Sequence, residues 1–232
     1  MLELFVVRHG ESVRNLACRL AHQGQTEILE QQLKNSSDEP EWPLTEKGMF
    51  QATLAGKWLH DFAGPIDASY CSPYLRTRQT AQYLQLGVES TPDLRLRERE
   101  WGTYPEGGYK VCDYLVDLAS CNQFDWKSRF EGSESIHDLL PSTEAFLRDL
   151  REDHPSGRVV IVTHGGRMGA IERLIEGEIR PRRYANCCVL QYRIEVDSIM
   201  VRLDSPAQFE LESIPWQTVG PTTAVERATI VV

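Results

Sequence analysis

Leu4-Phe5-Val6-Val7-Arg8-His9-Gly10-Glu11-Ser12 decides how this 232-residue chain is read. Residues 4–7 are a compact apolar run of β-type residues, cut off by a charged, Gly-containing turn, after which residues 13–21 suit a helix. The order is strand, turn, helix, and it returns twice. A strand over 68–71 runs into Ser72-Pro73, where the serine is expected to cap a helix with proline at its first position, running to about residue 86 before Gly87. A β-branched run over 158–162 leads through Thr163-His164-Gly165-Gly166 into a helix over 165–175 ended by Gly177. Alternating strands and helices predict an α/β fold: a three-layer α/β/α arrangement around a mostly parallel central sheet. In such sheets ligands bind beyond the carboxyl ends of the strands.

The remaining segments attach to this frame. Thr45 can cap a helix to about residue 62, with Phe50, Leu54, Trp58 and Leu59 spaced for one buried face. Residues 135–151 read as a helix with Leu139, Phe146 and Leu150 inward and Pro141 in its first turn or breaking it. Residues 188–196 and 199–203 read as two strands joined through Asp197-Ser198. Residues 22–42 are polar and read as a surface loop near a site mouth. Residues 102–133, turn-rich and aromatic, are expected to form a small lid or insertion with a short helix near 110–118. The expected organisation is one catalytic domain over 1–204, the lid included, and an irregular tail over 205–232.

Composition narrows the class. Hydrophobic residues are 41% and charged residues 25% of the chain, the balance of a globular protein rather than a disordered or fibrous one. A net charge of −9 argues against nucleic acid as a partner, since phosphate-backbone binding needs clustered excess Lys and Arg. No apolar run approaches the roughly 18 residues a spanning helix needs, so no membrane partner is expected. Residues 2–7 are strand-sized, too short for the apolar region of a secretory signal, and a cytoplasmic location is expected. The six cysteines show no CxxC pairing, so no metal site is signalled and reduced thiols are expected. Asn35-Ser36-Ser37 then reads as a chance match to a glycosylation acceptor.

The chemistry lies at the strand ends. Neutral imidazole can attack phosphorus and leave a phosphohistidine, splitting one displacement into two. Arg8 beside His9 can bind phosphate oxygens through two parallel hydrogen bonds. A lone strand-end histidine signifies little, but His164 repeats the arrangement, and the free N–H groups of the helix opening at Gly165 can face the same anion. Arg76, early in the helix after Ser72, can point into the crevice, whereas Arg78 reads as a solvated helix charge.

These blocks resemble the histidine phosphatase superfamily, in its phosphoglycerate mutase-like branch. Arg8-His9-Gly10-Glu11-Ser12 with Asn15, the block from Ser72 to Ala81, and Thr163-His164-Gly165-Gly166 stand in that family's order. Pro43-Leu44-Thr45-Glu46-Lys47-Gly48 and Gly132-Ser133-Glu134-Ser135 are similar to its secondary motifs. The resemblance implies His9 as the phosphorylated nucleophile, with Arg8, Arg76 and His164 holding the phosphoryl group. In Arg97-Glu98-Arg99-Glu100-Trp101-Gly102 it implies Glu98, rather than its rival Glu100, as the proton donor. Asn15, Arg99 and Gly165 are the expected substrate contacts, with Glu11 orienting the pocket or touching substrate. His9 must be neutral at its attacking nitrogen, so its other nitrogen is expected to bond a backbone carbonyl.

No cofactor and no metal are expected, because the arginines stabilise the transferring group electrostatically. Members of the family are phosphatases, mutases, bisphosphatases and proteins whose catalysis is lost; retention of all five core positions argues against a non-catalytic module. Trp42 stands where the mutase pattern has an aspartate, and the segment after Gly102 lacks a long Arg-rich insertion. Both departures favour hydrolysis of a small-molecule phosphate monoester over mutase chemistry. A homodimer is compatible with all of this.

Overall fold

Alternate residues of the first strand face opposite sides of the sheet, and both sides are apolar, which fixes the layering. The computed structural model describes residues 1–28, 41–101, 127, 132–177 and 184–194, and the backbone of 201–202. Strand β1 (Leu2–Arg8) is followed by α1 (Val13–His22), α2 (Glu46–Ala63), β2 (Ala68–Cys71), α3 (Leu75–Leu84) and β3 (Ser90–Pro92). Then come α4 (Leu140–Asp153), β4 (Gly157–Thr163), α5 (Gly165–Glu176), β5 (Val189–Ile194) and β6 (Val201–Arg202). The sheet order is β3-β2-β4-β1-β5-β6. The first four of these run parallel, β5 is antiparallel to β1, and β6 is antiparallel to β5.

Leu4 and Val6 of β1, with Val159 and Ile161 of β4, pack against Phe146, Leu147 and Leu150 of α4 and Met168, Ile171 and Ile175 of α5. Phe5, Val7, Val160 and Val162 face the other way, onto Ala52, Ala55, Trp58 and Leu59 of α2 and Leu84 of α3. The result is the expected three-layer α/β/α sandwich around a mostly parallel sheet. Each fully buried aliphatic or aromatic side chain contributes about 1.5–3 kcal/mol, so the two-sided core drives the fold. Helices α2 and α3 lie so close that a Cβ on Gly56 would meet the Leu84 carbonyl oxygen at 2.1 Å.

Local sequence sets the helix ends, in places differently from expectation. Ser12 caps α1 and shares a reciprocal capping box with Asn15, while Thr45 caps α2 by accepting from Gly48 N. Ser72 does not cap α3: the N-cap is Tyr74, with Pro73 outside the helix. The Ser72 hydroxyl instead accepts from Tyr74 N two residues on, a serine turn that delays the helix. Helix α3 then stops at Gln85, in the left-handed region at φ 49°, before Gly87 is reached. Phe50 is half-buried rather than in the core, and a short 3-10 turn (His137–Leu139) precedes α4, with Pro141 inside the first turn of the α-helix. Strand β3 has no periodic signal and was not expected. The lid over 102–133 lies outside the described residues apart from 127, 132 and 133; the Asp197-Ser198 turn and the 205–232 tail lie wholly outside them. Among the described residues no helix is long and apolar enough to cross a membrane.

Candidate active site

Strand register brings the histidines together. Arg8 pairs with Thr163 and Cys71 with Val162, so His9, His164 and Ser72 are successive one-step overhangs at the carboxyl ends of β1, β4 and β2. The overhangs are tied down: His9 N donates to Thr163 O at 2.9 Å and Ser72 N to Val162 O at 3.0 Å. The two imidazoles meet edge to face with centroids 5.2 Å apart. His9 Nδ1 donates to its neighbour's carbonyl, Gly10 O, at 2.7 Å, the carbonyl bond expected of it. That bond leaves the lone pair on Nε2. His164 Nε2 is 2.8 Å from Ser72 Oγ, and its Nδ1 is buried without a hydrogen-bond partner among the described residues.

Both rings are neutral at physiological pH. Burial pushes His9 well below the ordinary histidine range, and the Arg76 and Arg8 cations push it further. His164 is lowered in the same way, by burial first and then by Arg76. Arg76 projects from the first turn of α3, is only 2% exposed, and sits with Cζ 4.9 Å above the Tyr74 ring, which in turn meets His164 edge-on at 5.1 Å. Arg8 is held at one end by a hydrogen bond from Nη1 to the Tyr184 carbonyl, and its Nε has no hydrogen-bond partner among the described residues. A Cβ placed on Gly165 would lie 3.8 Å from that Nε, so the start of α5 borders the Arg8 guanidinium. Arg78 is exposed, as expected.

Glu98 arrives from the segment after β3. The 3-10 turn Leu94–Leu96 buries Leu96, whose carbonyl accepts from Thr163 Oγ1 at 2.8 Å beside His164. Glu98 is 6% exposed; its Oε1 accepts from Arg99 N at 3.0 Å and its Oε2 from Gly166 N at 3.4 Å. A Cβ on Gly166 would fall 2.4 Å from Glu98 Oε1, so any larger residue there would force this carboxylate to move. Glu100, the rival, is exposed and ion-paired with Arg97 at 3.3 Å. Arg99 is 4% exposed and stacks on Trp101 at 3.9 Å, with Arg14 over the same indole at 5.2 Å.

Two of the expected contacts also hold the framework. The Asn15 side-chain oxygen accepts from Ser12 N at 3.1 Å and from Asn186 Nδ2 at 3.2 Å. The Glu11 carboxylate accepts from Thr45 Oγ1 and pairs with Lys47 and Arg19. Residues not foreseen brace the site. Asn186 donates to His9 O at 3.0 Å; Glu134 accepts from both Nη atoms of Arg97 at 2.7 Å and from Glu100 N at 2.8 Å. Glu134 stands in the Gly132-Ser133-Glu134-Ser135 motif, which does not reveal this task. Asn186 carried no local signal.

The sequence profile of the histidine phosphatase superfamily, branch 1, matches residues 4–203. The chain belongs to this superfamily. Among curated histidine phosphatase relatives, "Probable phosphoglycerate mutase GpmB" of Salmonella typhi is 26% identical over 239 residues, covering 91% of this chain and all of the relative. Among solved structures, Bacillus stearothermophilus YhfR superposes with a TM-score of 0.69 at 21% identity, over 88% of this chain and 96% of its own. A mycobacterial glucosyl-3-phosphoglycerate phosphatase, solved with VO3, gives a TM-score of 0.63 at 25% identity, over 82% of this chain and 92% of its own. In this member of the superfamily His9 and His164 stand at the carboxyl edge of the parallel strands.

Proposed function

We propose that the protein is a metal-independent phosphatase that hydrolyses small-molecule phosphate monoesters through a phosphohistidine on His9. The observation that carries this reading is the state of His9: Nδ1 is tied to Gly10 O, and burial with two arginine cations keeps the ring neutral. Arg8, Arg76 and His164 bind the phosphoryl oxygens, with Asn15 Nδ2 and the Gly165 N–H at the rim. His9 Nε2 attacks phosphorus in line, the ester P–O bond breaks, and Glu98 gives the departing alkoxide a proton. After the alcohol leaves, water attacks phosphorus, Glu98 takes its proton, and the P–N bond breaks to return His9. Arg99, stacked on Trp101, meets an acidic group of the substrate.

A mutase reading has support in the name of the Salmonella relative. Hydrolysis is favoured by Trp42, which is buried where the mutase pattern has an aspartate, and by the likeness to the mycobacterial phosphatase. A mutase must keep its phosphorylated intermediate from water, whereas a phosphatase has only to admit water after the first product leaves. A panel of phosphorylated metabolites, scored for free phosphate and for isomerised product with a chelator present, tests the choice. Phosphate release unaffected by the chelator is the expected result. Isomerisation of phosphoglycerate that needs a bisphosphate primer would overturn it.

A further inference from the structure

Arg167 is among the largest fully buried side chains of the protein, 1% exposed, on a helix where an arginine would ordinarily reach solvent. Among the described residues its four hydrogen bonds go to neutral acceptors. Nη1 donates to Leu139 O at 3.0 Å, Ser142 Oγ at 2.9 Å and Thr143 Oγ1 at 2.6 Å, at the start of α4. Nε donates to Arg97 O at 3.2 Å. That carbonyl belongs to the peptide bond that leads into Glu98. Gly166, one residue earlier on α5, holds the Glu98 carboxylate through its own N–H. Successive residues of one helix therefore grip the two ends of the same glutamate, Gly166 its carboxylate and Arg167 its backbone.

A buried cation whose hydrogen bonds among the described residues go to neutral groups is a poor choice for stability alone, since an apolar side chain of similar volume would fill the space without the desolvation penalty. Burial lowers Arg167 to about 10, which still leaves it charged near neutrality, and Glu98 is the foremost charge acting against that shift. We infer that Arg167 is a positioning residue that holds the Arg97–Glu98 peptide so that the carboxyl group reaches the ester oxygen. The inference rests on the proposed role of Glu98 as proton donor.

The leaving group supplies the test. An alkyl phosphate needs its departing oxygen protonated, whereas p-nitrophenyl phosphate releases a stable anion and depends little on an acid. Arg167→Lys keeps the charge and can reach the α4 acceptors, but puts a methylene where Nε meets Arg97 O. In this variant and in Arg167→Gln, kcat for an alkyl phosphate should fall about 10-fold or more, against less than about threefold for p-nitrophenyl phosphate, with KM nearly constant. Glu98→Gln should show the same selectivity more strongly. Thr143→Val, which leaves Arg167 in place but removes one anchor, should show it more weakly, and its folding is read from the melting temperature. Equal losses on both substrates in the Arg167 variants, or no loss while Glu98→Gln is selective, would overturn the positioning role. A Glu98→Gln variant that treats both substrates alike would remove the proton donor itself, and the inference would fall with it.

Discussion

His164 lies between Ser72 and His9, and its two neighbours constrain it differently. The Ser72 hydroxyl satisfies a ring nitrogen that water cannot reach, and it also accepts from Tyr74 N. Ser72→Ala therefore strands two buried polar groups and should destabilise the fold by about 1–3 kcal/mol in urea unfolding. At Gly166 the expected effect falls on rate instead. A methyl group there would occupy the place of Glu98 Oε1, so Gly166→Ala should lower kcat on alkyl phosphates by about 10²-fold, the worth of a general acid, while the melting temperature changes little. At this scale the sequence displayed the residues whose chemistry is announced by a motif: His9, His164, Arg8 and Arg76. It could not display Arg167, because an arginine on a helix reads as solvated until packing buries it. Nor could it show that the Asn15 oxygen is consumed by the Ser12 capping box.

Helices α2 and α3 touch backbone to backbone at Gly56. Gly56→Ala should push them apart and cost about 1–3 kcal/mol, seen as a lower urea midpoint at unchanged m-value. The three strand-helix units were legible because each strand is an apolar run and each following helix has its own start signal. The ends of α3 were less so. Ser72 had a local turn to make, and Gln85 took the left-handed position that Gly87 would have filled without steric cost. Strand β3 is Ser90-Thr91-Pro92, with no apolar alternation at all, and it exists because the open edge of β2 offers it hydrogen-bonding partners. Proline is tolerated there because β3 is itself the sheet edge.

The whole molecule encloses two neutral histidines and several arginines within a chain of net charge −9. Both histidines are held below their ordinary value, so the unfolded chain takes up protons first as pH falls. Stability is then fully present above about pH 6.5 and should decline below it, by up to about 1.4 kcal/mol per pH unit for each histidine. Urea unfolding at pH 7.5 and pH 5.5 measures this, and His9→Ala should show a shallower decline than the wild type. The layering and the parallel sheet were readable at this scale because β1 and β4 are apolar on both faces. The bracing of the Glu98 segment by Glu134 and Arg167 was not, since it joins parts of the chain about 35 to 70 residues apart through side chains with no periodic signature. The most direct test of the central claim is to quench the enzyme during turnover and locate the phosphoryl group by mass spectrometry under alkaline conditions, where phosphohistidine survives. The account predicts an acid-labile phosphoryl group on His9 in the wild type, and in His9→Ala no such species and at least about 10³-fold slower phosphate release. A phosphoryl group on another residue, or full activity in His9→Ala, would contradict it.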